Sequence, residues 1–259
     1  VDELTRALPL SPVTAPAAAA EVIPRRQTVL PTWFAALQAL LICGFPTLML
    51  VYTVLILGTQ LPVLDGDQNM TLEFIALTGL LDTALVALLI RVFLMLSGET
   101  SRDVFLGLRP LKGEILRGLI AIPFMIGGVN LLMWLLRILV PSTHTVAKNP
   151  YEQFMHNPID ATILMITVVI AGGIREELQR AFILHRFEQR LGGIRIGLTI
   201  FTVIFGVLHY AQGVDAALTV GLLGLCWGLM YYWRRSAVAG MVSHAGFNSS
   251  QILMTFFGR

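Results

Sequence analysis

Charge is scarce in this chain: Asp, Glu, Lys and Arg make up 13% of 259 residues, against roughly a quarter in an ordinary soluble domain. That deficit excludes a protein whose whole surface faces water. A formal net charge of +2, with cations at segment ends rather than in a patch, gives no support for nucleic acid as a partner. Cysteine is nearly absent too. Cys43 and Cys226 both sit in apolar runs without CxxC spacing, so neither a disulfide framework nor a thiolate metal site is supported. Both are expected to be small buried apolar groups. The sequence has no fixed-period repeat and no inverted pair of interrupted apolar segments, the pattern that marks many secondary transporters. HExxH, GxSxG and Ser/Lys arrangements are also missing, which removes the most specific zinc-hydrolase and serine-nucleophile signatures.

What the sequence has in abundance is apolar length. Hydrophobic residues reach 56% and mean hydropathy is +0.75. Candidate spans fall at 32–58, 71–97, 115–140, 160–190, 194–212, 215–233 and 237–257, when a span needs about 20 apolar residues to cross roughly 30 Å of hydrocarbon. The expected fold is all-α, a polytopic transmembrane helical bundle of about seven spans, the fourth long enough to project past the membrane. Residues 1–29, with Pro9, Pro12, Pro16, Pro24 and the run Ala17 to Ala20, read as a flexible cytoplasmic tail. Residues 30–259 read as one integral membrane domain. No compact apolar core with a small-residue cleavage site occurs in the tail, so the first span is expected to direct insertion. Twelve of the 18 Lys and Arg residues lie on the tail or on alternate connections, against Lys148 and Arg259 on the opposite side. The positive-inside rule then puts the N-terminus in the cytoplasm and the C-terminus outside.

Three polar clusters interrupt the last third: Arg175-Glu176-Glu177-Leu178-Gln179-Arg180, Phe205-Gly206-Val207-Leu208-His209, and His244-Ala245-Gly246-Phe247-Asn248. Such groups are costly in a bilayer, so their recurrence points to a shared polar site. Spans four and five meet at Gly192-Gly193, a turn signal suited to an antiparallel helix hairpin. Glu176 lies 16 residues before Gly192 and His209 lies 16 after Gly193, which places both roughly 24 Å from the tip. His244, nine residues past Arg235, is about 14 Å into its span. It reaches the same depth if the hairpin, with its polar tip Arg186, Glu188, Gln189 and Arg190, protrudes by about two turns. Glu176 and Arg180, Phe205 and His209, and His244 and Asn248 are i,i+4 pairs on common faces.

These groups suit amide hydrolysis: a carboxylate takes a proton from water, an imidazole orients that water or donates a proton, and a second His with Asn248 stabilises the oxyanion. Two His and one Glu also make a three-ligand set for a divalent metal such as zinc. The sequence does not separate the two versions. Rival readings are a self-neutralising helix contact, a proton-coupled transporter relaying through Glu176 or Glu177 and His209, and a non-catalytic membrane scaffold or immunity-type factor.

In this order, on three hydrophobic spans, the clusters resemble the CPBP family, also called Abi or CAAX-type intramembrane proteases, whose pattern is Glu-Glu…Arg, then FxxxH, then HxxxN. The resemblance covers roughly residues 159–251. Phe205 to His209 and His244 to Asn248 match as they stand. The first motif departs from the common EExxxR form, because only Leu178 and Gln179 separate Glu177 from Arg180, and Ala181 stands in the usual Arg register. The arginine is thereby about 100° around the helix from its usual place, so Arg180→Ala is expected to cost less activity than Glu176→Gln. The resemblance implies a membrane endopeptidase of the CAAX type, embedded in the cell-membrane bilayer. It implies a site opening toward the cytoplasmic leaflet and a peptide or membrane-protein substrate, with nothing in the chain to indicate a prenyl group. Under it Glu176 activates water with His209, His244 and Asn248 support the oxyanion, and Glu177 and Arg180 orient or ligate. In its metal-dependent form the ligands are Glu177, His209 and His244.

Outside the motifs, Asp82 is expected to be structural, capped by a hydroxyl or an amide such as Asn130. His144, His156 and His185 are expected in solvated connections. Phe205 and Phe247 are read as packing residues, and Trp134 and Trp227 as interfacial or packing.

Overall fold

The computed structural model describes residues 30–67, 69–147 and 150–258; the expected tail, residues 1–29, lies outside them. The described residues form nine α-helices with one isolated bridge between Leu64 and Met70. The helices are α1 (Thr32–Ile42), α2 (Phe45–Gly58), α3 (Leu72–Leu96), α4 (Leu111–Leu139), α5 (Pro158–Thr167), α6 (Glu176–Arg190), α7 (Ile194–Leu208), α8 (Val214–Arg234) and α9 (Val238–Phe257). Their starts carry recognisable signals. Thr71 accepts from the Phe74 amide to cap α3, and Asn157 accepts from the Ile159 and Asp160 amides ahead of Pro158 to cap α5, both of which satisfy donors that a helix start leaves free.

All seven apolar stretches are helical, but fewer than seven are full-length spans. Four continuous helices are long and apolar enough to cross a membrane, or five if the bent pair α1–α2 counts as one. The first stretch breaks by 47° at Cys43-Gly44, where Gly44 has φ 97, a left-handed conformation that favours glycine. The break frees the Ile42 carbonyl, which accepts from Gln179 Nε2 at 2.8 Å. The fourth stretch runs without interruption from Pro158 to Arg190 because a π-helical segment, Val168–Arg175, joins α5 to α6. Helix α7 has only 15 residues. Cys43 and Cys226 are exposed on the outside of the bundle rather than buried. Each stands where an apolar surface faces outward, so the sequence pattern around it could not distinguish lipid from core.

The two ends of the bundle differ. At one, the α3–α4, α6–α7 and α8–α9 connections are tied together. Arg186, fully buried, reaches Glu99 Oε2 and Gln38 Oε1, each at 2.5 Å; Arg234 Nη2 reaches Glu114 Oε1 at 2.5 Å; Arg235 pairs with Glu188; and the Tyr231 hydroxyl donates to the Val104 carbonyl. The polar tip of the α6–α7 hairpin is therefore not a free protrusion. Arg186 and Glu188 are polar because they latch this end. His185, expected in solvent, contacts Glu99 Oε1 at 2.5 Å. At the opposite end His144, also expected in solvent, contacts Asp215 Oδ2 at 2.9 Å, and Leu72, Phe154, Met155, Leu164 and Ile252 pack the start of α3 against α5 and the end of α9.

The latch has a pH signature. Burial pushes the Glu99 carboxyl up, but the hydrogen bond from His185 and the charges of Arg186 and His185 outweigh it and hold the group down at about 2. A depressed carboxylate contributes stability that is complete above its unfolded value, about 4.5, and is lost as the pH falls through the folded one. The melting-temperature gap between the wild type and Glu99→Gln in detergent is accordingly expected to be constant above about pH 5 and to shrink steadily below about pH 4. A gap that widens in acid would contradict the assignment.

Candidate active site

Glu176 and Glu177 open α6, directly after the π-helical segment, and point to different partners. Glu177 is buried. Its Oε1 receives Arg180, one turn on, and lies 2.9 Å from His244 Nδ1 on α9. Glu176 Oε1 is 3.7 Å from Arg175 Nη2, and its Oε2 is 3.8 Å from His244 Nε2. The expected i,i+4 pairing of Glu176 with Arg180 is thus replaced by an i,i+3 pairing of Glu177 with Arg180, the geometry that the shortened motif spacing allows. Arg180 is 0% exposed, and its guanidinium carbon stands 4.9 Å from the Phe201 and Phe205 ring centres and 5.6 Å from that of Trp227. Ring faces stabilise this cation where water cannot.

The two histidines are fixed by opposite means. His244 is sandwiched: one nitrogen on Glu177, and its ring stacked on Trp227 at 3.7 Å and 13°, while Trp227 Nε1 donates to Ser243 Oγ at 3.1 Å. A carboxylate on Nδ1 leaves the proton there and the Nε2 lone pair toward Glu176. His209, just past the end of α7, puts Nδ1 2.7 Å from the Phe205 carbonyl, an acceptor only, so its Nε2 is likewise a free lone pair. Asn248 Nδ2 lies 3.4 Å from the Val168 carbonyl. Gly172, in the π-helical segment, leaves room for it, since a Cβ there would stand 2.6 Å from Asn248 Nδ2.

Glu176, His209, His244 and Asn248 line one cavity of about 640 Å³, together with Arg175 and Trp227. Glu177 and Arg180 stand behind it, almost fully buried. Phe205 and Phe247 pack in one apolar cluster with Trp227 and also line the cavity.

Among the described residues no three His, Cys, Asp or Glu side chains converge as metal ligands. The donor chemistry gives the reason for Glu177, His209 and His244: the Glu177 oxygen nearest His244 is already engaged by Arg180, and the His244 nitrogen nearest Glu177 is the one facing that oxygen. These three side chains are not gathered around one point among the described residues, and no step below uses a metal.

Two residues that sequence reasoning placed elsewhere belong to the site. Asp82 on α3, fully buried, pairs with Arg175 rather than with Asn130, so a carboxylate far away in sequence holds the guanidinium that stands against Glu176. Trp227 is the face on which His244 stacks. The sequence held a signal only for the first: one uncompensated acid in an apolar span needs a cation, and Arg175 is one of four cations within spans.

Residues 158–250 match the family model described as Rce1-like, type II CAAX prenyl endopeptidase. No curated protein and no solved structure was found to match the chain. The match runs from α5 through most of α9, about a third of the chain, and makes that part similar to the CAAX-type intramembrane proteases.

Proposed function

We propose that this protein is an intramembrane endopeptidase that hydrolyses a peptide bond with a water molecule held between Glu176 and His209. The observation that carries the reading is the division of labour between adjacent carboxylates: Glu177 is spent on Arg180 and His244, whereas Glu176 lines the same cavity as His209 and stands 3.8 Å from His244 Nε2. His209 Nε2 accepts from the water and orients it. Glu176 takes its proton as the oxygen attacks the scissile carbonyl, and the Asn248 amide donates to the developing oxyanion. The proton then passes to the leaving amine as the C–N bond breaks, directly from Glu176 or through His244 Nε2, 3.8 Å away. Glu177 on His244 Nδ1 stabilises the imidazolium when it forms, the role a buried carboxylate plays behind any catalytic histidine. Products are a carboxylic acid and an amine, and Glu176 ends ionised, ready for the next water.

The test is incubation of the purified protein with a library of membrane-anchored peptides, with and without a chelator. Cleavage is expected at the same rate in both arms, because Glu177, the acidic member of the expected metal set, is spent on Arg180 and His244. Cleavage abolished by chelator and restored by a divalent cation would overturn the metal-free mechanism, and no cleavage of any peptide would count against the endopeptidase itself.

A further inference from the structure

We infer that Gln251 on α9, with Thr78 on α3, binds the main chain of the peptide substrate next to the bond that is cut. The inference rests on the endopeptidase reading and adds to it a binding subsite outside the three sequence clusters.

His244, Asn248, Gln251 and Thr255 all line the cavity that holds Glu176. Their offsets of 4, 7 and 11 residues along α9 keep them within about 60° of one another, a polar stripe on one helix face. The stripe opens with the imidazole and the amide assigned to the reaction and continues past them. Gln251 is about one turn beyond Asn248, roughly 4.5 Å along the axis. An extended chain advances roughly 3.3 Å per residue. A peptide lying along α9 with its scissile carbonyl at Asn248 therefore brings to Gln251 a peptide unit one or two residues away.

Gln251 Nε2 is buried and has no hydrogen-bond partner among the described residues, and the same holds for Thr78 Oγ1. Of the six described residues with such an atom, these are the two that line the cavity. Nearby hydroxyls are satisfied within their own helices: Ser249 and Ser250 donate to the Ala245 and Gly246 carbonyls, and Thr83 and Thr167 to those of Gly79 and Ile163. Thr78 is 3% exposed yet makes no such bond. A buried polar atom left without a partner is rare and costly, so a pair of them on one cavity wall points to a partner that arrives.

The chemistry of these groups defines the partner. A carboxamide donates through Nε2 and accepts through Oε1, and a hydroxyl does both, which is what the N–H and C=O groups of an extended peptide require. Neither group is charged, so neither selects a charged side chain. Ile252 follows Gln251 in sequence, Ile75 lies one turn before Thr78, and both pack in one apolar cluster with Leu164. Ile75, Leu164 and Ile252 also line the cavity. The two polar groups hold the main chain there, and the apolar wall beside them receives side chains.

The probe is a peptide retained from a membrane-anchored library by immobilised full-length Glu176→Gln protein, which binds without cutting. Gln251→Met keeps the length of the side chain and removes its hydrogen bonds. Added to Glu176→Gln, it is expected to weaken binding of that peptide about tenfold, the order of one hydrogen bond. Alone, it is expected to raise KM by a similar factor with kcat unchanged. Thr78→Val, the same shape without the hydroxyl, is expected to weaken binding in the same assay. The melting temperature of Gln251→Met is expected to hold or rise, since an apolar group replaces an unpartnered donor; a structural hydrogen bond would make it fall. Ester substitution of the peptide, one main-chain amide at a time, locates the contact. At one position within two residues of the scissile bond, the ester is expected to weaken binding when Gln251 is present and to change nothing in Gln251→Met. Unchanged binding in either variant, a lower melting temperature in Gln251→Met, or ester and side-chain effects that multiply at every position would overturn the inference. Binding lost in Gln251→Met although the wild type cuts no peptide would sink the protease reading and leave the subsite standing; cleavage with an unaltered KM would do the opposite. Retention of no peptide from the library overturns both.

Discussion

Glu176→Gln is expected to lower peptide cleavage by about 10²–10⁴-fold, the range over which a positioned general base acts, while the protein still inserts and folds. The amide keeps the size of the carboxylate and leaves the buried charges untouched. Among the described residues Glu176 makes no ion pair shorter than 3.7 Å, so its loss disrupts no tight ion pair there. Glu177→Gln is a different experiment. It removes the anion between Arg180 and His244, so it should lower stability as well as rate. The comparison of melting temperature with cleavage rate for the two variants separates the base from its support: Glu176→Gln moves the rate alone. Equal melting losses in the two variants would contradict the assignment.

The second large effect is expected at Arg180, and it reverses what the spacing of the motif suggests. Removing one member of a buried pair costs about 3–5 kcal/mol, because the other charge is left unpaired. Arg180→Ala leaves the Glu177 carboxylate with His244 alone and opens a hole among Phe201, Phe205 and Trp227. The loss is a large fraction of the roughly 5–15 kcal/mol that keeps a domain folded, so the variant should fall to little or no activity through unfolding, at least as low as Glu176→Gln. The double variant Glu177→Gln with Arg180→Met removes both charges and most of the hole. It is expected to regain folded protein in a thermal melt without regaining the wild-type rate, since His244 then lacks its carboxylate. A single Arg180→Ala that melts like the wild type would show that the pair is not the support described.

The relation between sequence and structure was uneven for physical reasons. Helices were legible because long apolar runs between cationic connections admit little else in a bilayer. The clusters were legible because polar groups there are rare, and Glu176, His209, His244 and Asn248 do line one cavity. Partners were less legible. The Arg register was read against a family spacing, whereas the pairing depends on which of two adjacent acids faces inward, and the π-helical segment Val168–Arg175 just before them sets that facing through backbone geometry that composition does not encode. The break at Gly44 was hidden inside a continuous apolar run, since hydropathy records no dihedral angle. Asp82, His144 and His185 found charged partners 93, 71 and 86 residues away in sequence, distances at which no local pattern speaks. Arg186 and Glu188 looked like a water-exposed tip, although polar residues that latch one end of a bundle have the same composition as polar residues that leave it.

The central claim is that Glu176 and two histidines from separate helices act on one water molecule. The most direct measurement is mass-spectrometric cleavage of a membrane-anchored peptide by the reconstituted wild type beside Glu176→Gln, His209→Ala and His244→Ala, each first shown to be inserted and folded. The wild type is expected to cut at a defined bond and all three variants to lose that cut. Retained cleavage at the same bond by all three folded variants would contradict the account.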